Sequence, residues 1–180
     1  MKTKVLNKTS IKSKTLATVI AVISAVALPQ IAHIIGTYAG FGSSVGEIFL
    51  PMHLPVILAG FVGGPVAGAV AGALAPVISF SLTGMPTAVA LPFIVVEIFT
   101  YGIVSGLLSR VKLNSFIKIL AVQLSGRVMR IAAVAVATAV FGFEGMTVPA
   151  VLSSMALGVV GIVIQWIIVF AVNKKYEKSI

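Results

Sequence analysis

Apolar residues run in long stretches along this chain, and polar positions gather in the short intervals between them. The first stretch, Thr15 to Ile35, follows lysines at positions 2, 4, 8, 12 and 14. A glycine-rich polar interval, Gly36 to Phe49, separates it from an apolar run that starts near Pro51 and continues to about Leu82. That run holds about 30 residues, more than the roughly 20 that one bilayer crossing needs. Gly63, Gly64 and Pro65 lie within it, where glycine can turn the chain and proline can open a new helix. The run therefore divides into a short second helix and a third. After a loop from Thr83 to Leu91, a fourth stretch spans Pro92 to Leu108, a fifth Ser115 to Phe141 and a sixth Val148 to Val172. The pattern predicts an all-α integral membrane protein with a six-helix transmembrane bundle.

Composition narrows this further. Of 180 residues, 59% are hydrophobic and only 9% charged, against about 25% charged in soluble domains. Mean hydropathy is +1.16. Six spans with short connections consume the length, so the chain reads as one membrane domain, 15–172, between basic tails at 1–14 and 173–180. Cysteine is absent, which excludes disulfides and thiolate metal sites. The acidic residues are four glutamates, and the two histidines do not sit at a metal-ligand spacing, so no metal or other cofactor is expected. No phosphate-binding G-x-x-x-x-G-K-[ST] loop occurs, and no nucleophile–base pattern suggests an enzyme.

The net charge of +9 could point to nucleic acid, but the positions of the charges argue otherwise. Lys2 to Lys14 precede the first span, Arg110, Lys112 and Lys118 lie between the fourth and fifth, and Lys174, Lys175 and Lys178 follow the sixth. Six spans place all three groups on one side, which the positive-inside rule makes cytoplasmic, together with both termini. The opposite loops carry Glu47 and Glu144 and no Lys or Arg. The positive charge is thus topological, and the partner it implies is the lipid bilayer rather than nucleic acid. Lysines followed by an apolar run and Ala25-Val26-Ala27 also resemble a cleavable signal peptide. The apolar run continues to Ile35, however, and cleavage would strand the charge pattern, so an uncleaved first span is expected.

Small residues recur at helical spacing. Ala17, Ala21 and Ala25 fall on one face of the first span, and such a smooth face lets another helix approach closely. Gly60, Gly64, Gly68 and Gly72 form a similar ridge, divided by the break at Gly63 to Pro65, and Gly102 and Gly106 repeat it in the fourth span. Packing within the bundle accounts for the glycines; the alanine face also suits a separate protein.

Arg127 and Arg130 are the two basic residues that topology does not explain. Counting about 1.5 Å per residue from Ser115 places them roughly 18 and 22 Å into the fifth span. They share a helix face, with Gln123 one turn below Arg127. An arginine inside a membrane normally faces the protein interior and marks a functional site. Two together can grip a carboxylate or phosphate, or one can pair with an internal acid. Glu97, about a turn and a half from the external end of the fourth span, is that acid. His53, between Pro51 and Pro55 at the start of the second helix, is a further candidate for ligand contact, the alternative being a helix-start hydrogen bond. Glu47 and Glu144 read as solvated loop residues.

Several of these features together resemble the substrate-binding S component of an energy-coupling factor (ECF) vitamin transporter. They are the six short spans, the alanine face, and Pro51-Met52-His53-Leu54-Pro55-Val56-Ile57-Leu58-Ala59-Gly60. Gly64-Pro65-Val66-Ala67-Gly68, Leu82-Thr83-Gly84-Met85-Pro86, Glu97 with Thr100-Tyr101-Gly102, and Gly126-Arg127 complete the likeness. It covers roughly residues 15–172. It implies a bacterial cytoplasmic-membrane protein that binds a vitamin or precursor near the external side under two loop lids. The lids would be 36–50 and 83–91, with Gly40, Gly42 and Gly84 allowing backbone change. It further implies docking on a transmembrane coupling protein through Ala17, Ala21 and Ala25, with two ATPase subunits supplying energy. The substrate-binding residues would be Arg127, Arg130, Glu97, His53 and Gln123. Pantothenate, whose acid group suits the arginines, and a corrinoid such as cobalamin are the leading candidate ligands, with a folate behind them. A stand-alone, ion-coupled carrier of a small organic anion, with Glu97 carrying the proton, is the competing function, and a purely structural membrane protein the third.

Overall fold

The structure is a computed structural model that describes residues 11–41 and 44–177. Gly42, named above as a lid glycine, lies outside the described residues, as do the terminal lysines 2, 4, 8 and 178. Among the described residues the fold is entirely helical. The helices are α1 (Ile11–Tyr38), α2 (Ser44–Phe49), α3 (His53–Gly63), α4 (Pro65–Thr83), α5 (Leu91–Leu108), α6 (Ser115–Phe141), α7 (Val148–Leu157) and α8 (Val159–Glu177). The tails expected at 1–14 and 173–180 are in part helical, because α1 begins at Ile11 and α8 continues to Glu177.

Four of these helices (α1, α4, α5 and α6) are long and apolar enough to cross a bilayer. The pair α7–α8 qualifies as a fifth crossing when its 54° bend is allowed. Helix α3 has 11 residues, or about 16 Å, roughly half of a hydrocarbon core. A helical membrane bundle is therefore what the structure defines. The sequence pattern counted apolar residues and so could not register that Pro51 and Met52 form a turn, or that Gly158 bends the final stretch.

The helix ends follow local chemistry. Helix α3 stops at Gly64, whose φ of +88° and ψ of −179° suit glycine alone, and Pro65 opens α4 at its first position. Gly84 ends α4 in the left-handed conformation, its N–H donating to the Phe80 carbonyl. The Asn114 and Thr147 side chains accept from Phe116 N–H and Ala150 N–H at the starts of α6 and α7.

Packing is closest where α4 crosses α5. A Cβ added to Gly68 would collide with the Gly102 carbonyl, and one added to Gly102 with that of Gly68. One added to Gly72 would sit 2.6 Å from the Ile98 carbonyl oxygen. The glycine ridge thus joins helices of the same chain through van der Waals contact, the main attraction between helices in lipid. The alanine face of α1 is used likewise. Ala21 and Ala25 are buried in a cluster with Val56 and Ala59 of α3 and Ala71 and Ala75 of α4. The outward surface of the same stretch is Leu16, Val19, Ile20 and Ile23. Of the two roles open to this face, packing within the bundle is the one seen for Ala21 and Ala25, while Ala17 keeps partial exposure.

Candidate functional site

One end of the bundle encloses a pocket of about 340 Å³. The second half of α1, the α2–α3 junction, α5, α6 and α7 all contribute to its wall. The loop after Gly84 closes part of its mouth through Met85, Pro86 and Thr87, and the Met85–Pro86 peptide is cis.

The pocket gathers four of the five residues expected to bind substrate: His53, Glu97, Arg127 and Arg130. Arg130 donates from Nη1 to Glu97 Oε2 at 3.0 Å, and the Tyr101 hydroxyl donates to Glu97 Oε1 at 2.8 Å. His53 Nε2 lies 3.9 Å from the same Oε1, and its ring tilts against Tyr101 with centroids 5.4 Å apart. Glu97 is 1% exposed, so the carboxylate is held by these neighbours rather than by water. Close approach of α6 to α5 makes the pair possible. At Gly126 the missing side chain leaves room for the Tyr101 ring, and a Cβ there would lie 2.8 Å from the Glu97 carbonyl oxygen.

Arg127 is placed differently. It lines the same pocket, yet among the described residues no carboxylate is within ion-pair distance of it. Its Nε, like that of Arg130, is buried without a hydrogen-bond partner. Its guanidinium lies beside Gly158 at the α7–α8 bend, where an added Cβ would come 3.4 Å from Nη2. His53 Nδ1 is likewise buried and unsatisfied. Unpartnered buried polar atoms are rare in folded proteins, and here Arg127, Arg130, His33 and His53, which carry them, all line one cavity.

Gln123 is the exception among the five. It lies outside the pocket wall, buried between α6 and α8, where its Nε2 donates to Gln165 Oε1 at 3.0 Å and its Oε1 accepts from Trp166 Nε1. Sharing a helix face with Arg127 did not bring it to the pocket, because α8 packs across that face one turn lower. Gln165 in turn donates to the Leu50 carbonyl at 3.3 Å, so this network anchors the segment that joins α2 to α3.

The lid glycines also part company. Gly84 caps α4 and leads into the pocket-lining loop, whereas Gly40 stands exposed, at φ +80°, away from the pocket wall. Gly46 does line the pocket; a Cβ there would meet the His33 ring at 2.5 Å. His33 and Gln30, one turn apart on α1, are pocket residues that the sequence analysis did not single out. Polar residues three apart beside Pro29, inside an apolar run, were the signal available. Among the described residues no group of three His, Cys, Asp or Glu side chains could hold a metal ion.

Fold and site together define a helical membrane protein with a largely apolar pocket into whose wall Arg127, Arg130, Glu97, His33 and His53 are set. No protein-family model matches the chain, and neither a curated protein nor a solved structure matches it.

Proposed function

We propose that this protein is the substrate-binding subunit of an ATP-driven importer, built like an ECF S component, and that its solute is a small organic acid of the vitamin class. The observation that carries this reading is the contrast between the arginines. Arg130 is neutralised by Glu97, while Arg127 faces the pocket with no partner among the described residues. A ligand carboxylate supplies the missing charge and accepts charge-assisted hydrogen bonds from the guanidinium. The remaining wall offers hydrogen bonds from His53 and His33 and apolar contact from Met52, Met85 and Ile94.

Size ranks the candidates. A cavity of about 340 Å³ suits a compact solute such as pantothenate. A corrinoid is far larger, and a folate needs stacking surfaces for its ring. In this reading the chain crosses the membrane six times, with α3 as a short crossing and α7–α8 as a bent one. Both termini and the basic loop 109–114 are cytoplasmic, and the pocket opens outside. A separate coupling protein and two ATPase subunits complete the importer in the bacterial cytoplasmic membrane.

The ion-coupled carrier stays as a second reading because His53 lies 3.9 Å from Glu97 inside the bundle, an arrangement suited to proton exchange. Mass spectrometry of small molecules released from gently purified protein tests the first reading, which expects one tightly bound organic acid. Recovery of a neutral or cationic solute would overturn it. Transport by the purified chain alone in liposomes, without ATP, would establish the second.

A further inference from the structure

A second depression, of about 670 Å³, lies between α1 and α4 towards the other end of the bundle. It is open to the outside of the bundle. Val19 and Ile23 of α1 form one wall, and Val66, Val70 and Leu74 of α4 form the other. The floor stays open because Gly63 and Ala67 carry little or no side chain. Lys14 and Arg110 stand at its mouth. Among the described residues neither has an acidic partner, since both ion pairs there involve Glu97.

We infer that this groove binds one anionic phospholipid, with an acyl chain along α1 and α4 and the phosphate on Lys14 and Arg110. From Lys14 to Ile23 is nine residues, so the apolar trough extends about 14 Å from its basic mouth. That is the arrangement of a headgroup site at the membrane surface with a hydrocarbon slot beneath it. The charge matches as well. Lys14 and Arg110 belong to the basic groups that mark the cytoplasmic face, where acidic lipids supply the negative surface potential. A guanidinium also accommodates phosphate oxygens in bidentate fashion.

A transmembrane helix from another protein fits the groove less well. Helices approach closely over small residues, and here the small residues form only a narrow floor between branched walls. Val66 is 75% exposed and Val70 41%, and they would hold a second backbone away. A flexible acyl chain needs only the width between the walls.

Native mass spectrometry of the full-length protein tests this, with phosphatidylglycerol or phosphatidylcholine of identical acyl chains added to the detergent. Phosphatidylglycerol is expected to stay bound at collision energies that strip phosphatidylcholine. The Lys14→Gln/Arg110→Gln variant should lose about tenfold or more of that preference. Val70→Trp, which fills the groove from an exposed position, should lower retention too. Lys112→Gln, in the same loop but off the groove wall, should leave it unchanged. Equal retention of the two lipids by the wild-type protein would overturn the inference, and this holds even where a variant fails to fold. Equal loss in Lys112→Gln would overturn it by reducing the effect to general surface charge. Displacement by millimolar inorganic phosphate would reassign the mouth to a free anion, and photo-crosslinking from position 70 to a membrane protein would reassign the groove to a partner helix.

Discussion

Arg130 and Glu97 form an ion pair inside the helix bundle, Nη1 to Oε2 at 3.0 Å, joining α6 to α5. Arg127, one helical turn earlier, has no such partner among the described residues. Two arginines of the same type on the same face therefore have different tasks. One joins two helices, and the other lines the pocket without an ion-pair partner among the described residues.

Removing Arg130 leaves a buried carboxylate without its main counter-charge. Arg130→Ala should destabilise the protein by about 3 kcal/mol or more, the usual cost of breaking a buried pair. Thermal unfolding in detergent, followed by helical circular dichroism, measures this. A melting point equal to that of the wild type would mean that the pair contributes nothing.

Arg127→Ala should behave in the opposite way. Its melting point should stay close to wild type, while affinity for the bound acid falls about 10- to 100-fold, the worth of a charge-assisted hydrogen bond. Isothermal titration with the released solute gives both numbers on one preparation. Unchanged affinity would remove Arg127 from the site.

Gln123→Leu separates pocket from scaffold. The substitution breaks the link to Gln165 and Trp166 and should lower stability by about 1–3 kcal/mol through unsatisfied polar groups. It should also shift the emission of Trp166, the chain's one tryptophan. Ligand affinity should remain within about threefold once the variant is folded, because Gln123 does not reach the cavity.

Ala25→Leu distinguishes internal packing from docking. Ala25 is fully buried against α3 and α4, so added bulk should overpack the bundle, costing about 1–3 kcal/mol, and weaken ligand binding with it. A face reserved for a coupling protein would instead lose uptake while stability and binding stayed normal. Melting and binding measured side by side decide between them.

Gly68→Ala tests the α4–α5 crossing. The new methyl meets backbone at Gly102 rather than a flexible side-chain end, so the helices must separate. A lower melting point is expected, although alanine is the better helix former by about 1 kcal/mol. A rise would show that propensity outweighs the contact.

Much of the architecture was legible in the residues because lipid imposes a simple rule. Every backbone group must be satisfied within a helix, so apolar runs and their breakers mark the helices directly. The break at Gly63 to Pro65, the start of α6 at Ser115 and its end at Phe141 fall where the pattern puts them. Scarcity of charge likewise singled out Glu97, Arg127 and Arg130, because a charge in hydrocarbon needs a reason to be there.

Depth and face, however, are properties of one helix, and partnership is a property of two. Spacing along α6 put Gln123 beside Arg127, but the crossing of α8 sent one to Trp166 and left the other in the cavity. The repeat of alanines on α1 specified a smooth surface without specifying what covers it; α3 and α4 do. Gln30 and His33 gained their place only when α1 was set against α2 and α4. Local sequence thus dictated where helices form and which charges are costly. Which arginine is neutralised, and which is left facing the pocket, followed from contacts between residues 33 apart in the chain, and no periodicity encodes those.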